Sequence, residues 1–70
     1  MPSGVVRFYN DITGYGFIDP DIGTYILKVS YKDIKINGYR LLNEGQRVLF
    51  EIASDSNSIA KNVIPIDLLD

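Results

Sequence analysis

Gly14-Tyr15-Gly16-Phe17-Ile18 alternates bare backbone with large side chains, and the way this stretch is read decides the fold. In an extended strand, residues two apart share a face, so Tyr15 and Phe17 point one way while Gly16 and Ile18 point the other. Ile18 then enters a core. Two rings side by side on a solvent face are costly in a small protein unless something stacks on them. Taken alone, the pair also fits an ordinary strand with two half-buried aromatics, so the flanking sequence has to decide.

On the N-terminal side, Val5-Val6-Arg7-Phe8-Tyr9-Asn10 is β-branched and aromatic, which predicts a first strand, and Asn10-Asp11 has turn chemistry. The second strand starts at Thr13-Gly14 and stops at Asp19-Pro20-Asp21-Ile22-Gly23, where Pro20 presets a turn dihedral. These two strands form a hairpin. On the C-terminal side, residues 24–31 read as a third strand, with Leu27 and Val29 on one face and Lys28 and Ser30 on the other. Ser30 followed by Asp33 is a capping pattern that predicts a short helical turn. A long connection runs through Asn37-Gly38 and Asn43-Glu44-Gly45. Gln46 to Ile52 alternates cleanly, with Val48, Phe50 and Ile52 inward and Arg47, Leu49 and Glu51 outward. After the polar turn Asp55-Ser56-Asn57-Ser58, residues 59–66 form a last strand with Pro65 near its end. Five short strands with no helices between them predict an all-β antiparallel barrel, because closure removes exposed sheet edges.

The 70 residues make one domain, 1–70, with the barrel over about 4–66 and a short tail at 67–70. A chain of this length buries only about 60% of the surface its unfolded form exposes, so the core is small. Without cysteine it has no disulfide or thiolate staple, and without histidine or cysteine the usual general base, nucleophile and transition-metal ligands are missing. Catalysis is therefore the weakest reading, and no cofactor or metal is expected. No signal-like start or membrane-length apolar run is evident, so a cytoplasmic protein is expected. Seven Lys and Arg against nine Asp and Glu give a net charge of −2, the wrong sign for a plain phosphate binder, although a local basic strip on an acidic body still binds nucleic acid.

The residues resemble the bacterial cold-shock proteins from about Gly4 to Val63. Gly4-Val-Val-Arg-Phe-Tyr-Asn10 is similar to the family's opening G-x-V-K-W-F-N, and Thr13-Gly-Tyr-Gly-Phe-Ile18 to its first ribonucleoprotein motif, K-G-F-G-F-I. Gly38 to Phe50 resembles G-Y-K-S-L-x-E-G-Q-x-V-x-F, and Asn62-Val63 matches the closing pair. The resemblance implies an OB-fold, a five-stranded Greek-key barrel that stacks single-stranded RNA or DNA on surface aromatics. It places Phe8, Tyr15, Phe17, Tyr31 and Tyr39 on that platform, with Arg7 and Asn10 beside it.

The departures from the family pattern fall on the binding face. Where the second ribonucleoprotein motif has V-F-V-H-F, this chain has Leu27-Lys28-Val29-Ser30-Tyr31, so the inward positions are kept and two outward stacking groups become Lys28 and Ser30. The family tryptophan is Phe8, and the lysine that opens the first motif is Thr13. Stacking is worth roughly 1–3 kcal/mol per base, so binding weaker than the family norm is expected, with part recovered if Lys28 meets a phosphate. Arg7, Lys28 and Lys61 make the expected basic strip, and Ser30 offers a hydroxyl.

The expected function is thus weak, low-specificity single-stranded RNA or DNA binding with RNA-chaperone-like activity, by a monomer. The alternative is a protein-interaction module, or mimic, that keeps the barrel but has lost most nucleic-acid binding. It would be anchored on Tyr15 and Phe17 or on Tyr25-Ile26.

Overall fold

Val6, Ile18, Leu27, Val29, Val48, Phe50, Ala60 and Val63 are all but completely buried, and the strands that carry them form one curled sheet around this shared core. The computed structural model describes residues 2–36, 41–55 and 58–66. Five strands run in chain order: β1 (Ser3–Asn10), β2 (Tyr15–Pro20), β3 (Leu27–Ser30), β4 (Arg47–Ile52) and β5 (Ala60–Pro65). Across the sheet the order is β3-β2-β1-β4-β5, the neighbours all antiparallel. The two outer strands then turn toward each other, and the parallel bridges Lys28 to Ile59 and Ile34 to Val63 form a closing seam. Its hydrogen bonds run from the Lys28 N–H to the Ser58 carbonyl and from the Lys35 N–H to the Val63 carbonyl, each 2.8 Å. The fold is the expected all-β OB-type barrel, with a seam that is parallel rather than antiparallel.

Two bulges shape this barrel. In β1 the pairing shifts between Val6, opposite Ile18, and Phe8, opposite Phe17, leaving Arg7 as the extra residue. Val6 is buried and Phe8 exposed, although they stand two positions apart. Strict alternation would have put both on one face, so the bulge is what turns Phe8 outward. In β5 the partners shift from Leu49–Ile64 to Glu51–Lys61, and Asn62 takes a positive φ of 51°. Asparagine tolerates that left-handed conformation better than most residues, and here its side-chain amide donates to Glu51 Oε1.

Several boundaries differ from the sequence reading. The third strand starts at Leu27 rather than Thr24, leaving Tyr25 and Ile26 exposed ahead of it. Ile52 does not point inward: it lies at the barrel rim, 37% exposed, and Ala53 takes the buried place. Ala53 is held there by its N–H donating to the Ile59 carbonyl. The helical turn exists as a 3-10 turn over Tyr31–Asp33, and Ser30 caps it, its hydroxyl accepting from the Lys32 N–H. In the turn before β2, Asn10 Oδ1 accepts from the N–H groups of Ile12 and Thr13, as its turn chemistry predicts. Tyr39 and the expected tail 67–70 lie outside the described residues.

Candidate nucleic-acid interface

β2 supplies the centre of the outer face. Tyr15 and Phe17 are each exposed by roughly two fifths, and between them Gly16 is buried. Cross-strand pairing sets their neighbours. Phe17 lies between Phe8 on β1 and Lys28 on β3, and Tyr15 lies between Asn10 and Ser30. Side chains paired this way sit about 4.5–5.5 Å apart at Cβ, so Phe8 and Phe17 form a contiguous aromatic surface. Tyr31 joins at the edge, its N–H donating to the Gly14 carbonyl and its ring lying where a Gly14 side chain would be. Gly14 has a φ of 77°, so two features of its position, the backbone turn and the ring, favour a residue without Cβ.

Lys28 is the charged centre of this face. Its Nζ stands 4.7 Å from the centroid of the Tyr15 ring, a cation–π contact worth about 0.5–1 kcal/mol at an exposed site. Two shallow grooves meet at Lys28 and Ile59. One is lined by Arg7, Phe17, Ile26, Lys28, Ser58 and Ile59. The other runs past Tyr15, Ser30, Lys32, Asp33 and Lys61. The face therefore crosses the seam, with the exposed rings on the β1–β3 side and Ser58, Ile59 and Lys61 on the β5 side.

The basic strip differs in part from the one read in the sequence. Arg7 lines a groove, but its Nε donates to both carboxylate oxygens of Asp19 at 3.0 Å, and this neighbour offsets its charge. Lys61 reaches the second groove beside Lys32, so the positive side of the face is Lys28, Lys32 and Lys61, with Asp33 among them. Ser30 is half-buried and its hydroxyl caps the 3-10 turn. The structure thus brings Phe8, Tyr15, Phe17, Lys28, Ser30, Tyr31 and Lys61 together and leaves Arg7 at the margin.

The sequence reading left Lys32, Ser58 and Ile59 out of this face and gave Ile26 only to the protein-interaction alternative. Lys32 had a signal, since it follows the third strand inside the predicted turn. Ile59 had none, because only the parallel bridge to Lys28 places it there. A second, separate ion pair joins Arg47 to Asp21 at 2.6 Å, and Ser3 Oγ also donates to Asp21. These two partners hold the Asp21 carboxyl below its ordinary range, the Arg47 hydrogen bond contributing most. The pair lies away from the aromatic face and secures the loop after β2. Among the described residues no helix is long and apolar enough to cross a membrane, and no cluster of acidic, histidine or cysteine side chains is arranged to hold a metal ion.

Comparison with known proteins adds to this geometry. Residues 2–66 match the family model described as the 'Cold-shock' DNA-binding domain. The chain is 41% identical over 64 residues to the cold shock-like protein CspE of Escherichia coli K12, covering 90% of this chain and 93% of that protein. It is 39% identical over 67 residues to the cold shock-like protein CspD of Haemophilus influenzae, covering 94% and 93%. Against the probable cold shock protein A of Mycobacterium tuberculosis it is 44% identical over 52 residues, covering 74% and 78%.

Proposed function

The chain belongs to the cold-shock domain family, and we propose that it binds single-stranded RNA or DNA by stacking bases on Phe8, Phe17, Tyr15 and Tyr31, with Lys28, Lys32 and Lys61 attracting the backbone. The observation that carries this reading is the group of rings held outward by β1, β2 and the 3-10 turn after β3. Phe8, Tyr15, Phe17 and Tyr31 are each 41–45% exposed in a domain whose described core residues are nearly all sealed. Stacking is sequence-tolerant because every base has a π-face, which fits a surface with few directed hydrogen-bonding groups. Because Lys28 and Ser30 stand in two positions where the resemblance puts rings, the affinity is lower than that of a full aromatic platform. Such short-lived contacts suit a protein that loosens RNA structure without trapping it, and the reading includes no chemical step. The exposed Ile26 lines the same groove as Phe17, so it supports this face rather than a separate protein-docking surface.

The test is titration of the protein with single-stranded oligonucleotides of about 7–10 bases, a span within the site sizes of OB-folds, followed by backbone amide shifts. Shifts should gather at Phe8, Tyr15, Phe17, Lys28 and Tyr31. Phe17→Ala should weaken binding by about 5- to 150-fold, the range that corresponds to one lost stack, and should also lower the melting temperature, because the ring is only 41% exposed and is paired with Phe8 and Lys28, so binding is compared well below the variant's unfolding transition. Absence of shifts at millimolar oligonucleotide, or equal binding by the variant, overturns the reading. In the first case the aromatic face would become bait for a protein partner.

A further inference from the structure

The Lys28 ammonium lies over the Tyr15 ring, on a surface that a stacked base would need. Lys28 also borders both grooves, and across the strands it is paired with Phe17. Its backbone is fixed on two sides, by the β2 ladder and by its N–H bond to the Ser58 carbonyl, but the residue is exposed, so the long side chain can swing while its base stays in place. A cation held by a ring face gains about what an exposed ion pair gains, so exchanging one partner for the other is nearly balanced.

From this we infer that Lys28 is a specificity-determining residue that covers Tyr15 in the free protein and moves onto a backbone phosphate when a strand binds. Its ligand is then a strand with an anionic linkage between the base stacked at Phe17 and the base stacked at Tyr15. This rests on the nucleic-acid reading above and goes further: the platform is two stacking surfaces divided by one charge, and Tyr15 opens only to a ligand that carries a phosphate at the right step. Isolated bases or nucleosides, having no phosphate to draw Lys28 away, would find Phe17 and Phe8 open but Tyr15 covered. The selectivity lies in the ligand's backbone and not in its bases.

The test uses a heptanucleotide in which one phosphate at a time is replaced by a neutral methylphosphonate, titrated into the wild-type protein and into Lys28→Met, which keeps an apolar stem without the charge. In the wild type, one linkage should prove sensitive, its replacement weakening binding by about 1.5- to 5-fold, the span expected of an exposed ion pair. Lys28→Met should be indifferent at that linkage, and the slope of log K against log salt should be shallower in the variant by about 0.7, the increment for one phosphate contact with a single strand. In the free wild type the Lys28 ε-methylene protons should carry a ring-current shift from Tyr15 that disappears on saturation. If the two proteins bind but show the same penalty at every linkage, or if the ring-current shift survives saturation, the inference falls while the stacking function stands. If the wild type binds no oligonucleotide at all, both fall together.

Discussion

Replacing Gly16 with alanine should damage the fold through one methyl group, although the change sits between the two exposed rings of β2. A Cβ at Gly16 would overlap the Phe8 carbonyl oxygen and lie 2.8 Å from Tyr9 Cδ1 and 2.9 Å from Tyr9 Cα. Two of these three atoms are backbone, so no rotamer change relieves the contact and β1 must move away from β2. That displacement would spread to the bulge at Arg7 and to the pairing of Tyr9 with Gly16. Forcing an extra carbon into packed structure costs about 1–3 kcal/mol, and contacts with backbone favour the upper half of that range. A domain of this size has about 4–10 kcal/mol of total stability, so about a fifth or more of it is at stake. At about 4–8 °C per kcal/mol for a small domain, the melting temperature should fall by about 8–24 °C. Thermal unfolding followed by far-ultraviolet circular dichroism, with urea titration as a check on the free energy, measures the effect. A melting temperature within about 2 °C of wild type would refute the close approach of β1 to β2 at this point. Gly16 would then have to be explained by the ligand instead.

Two further perturbations test the core and the loop clamp. Phe50 is completely buried, and Phe50→Ala should cost about 3–5 kcal/mol by lost burial and cavity formation, enough to leave much of the protein unfolded at 37 °C; a urea midpoint close to wild type would contradict its central place. Asp21 has its carboxyl pKa lowered in the folded state by Arg47 and Ser3, so its contribution to stability is present above the ordinary value near 3.8 and is lost as pH falls through the folded value. Asp21→Asn should therefore make stability less dependent on pH between about 5 and 2, and superimposable acid unfolding curves for the two proteins would show that the clamp contributes nothing.

Much of this architecture was legible because period-two alternation holds wherever the ladder is regular. Tyr15 and Phe17 outward with Ile18 inward, Leu27 and Val29 inward, and Val48 and Phe50 inward all follow from spacing alone. It misleads where a bulge adds a residue. Val6 and Phe8 look like partners on one face, and only the shift at Arg7 separates them, so Phe8 reached the platform through the family resemblance and not through alternation. Ile52 continues a pattern that the barrel does not, because the strand has reached the rim and Ala53 turns in. Arg7 illustrates a different limit. Its charge was visible, but Asp19 twelve residues on is brought beside it only by the hairpin register, which pairs Asp19 with neighbouring Val5. The residues missed altogether, Ser58 and Ile59, depend on contacts between distant parts of the chain that leave no local trace.

The seam between β3 and β5 bears on how such a surface survives in a crowded solution. A protein that displays four aromatic rings on one face is at risk when a neighbouring copy can add its own strand to an open edge, because backbone pairing then extends from chain to chain. Here the two outer strands of the sheet are turned on each other, and at Lys28 and Lys35 the amide protons are already committed within the same chain. Whatever meets the rings at that side meets side chains, not a template for strand addition. The closure that shapes the groove thus also guards the exposed rings, because the backbone beneath them offers little to another copy of the chain.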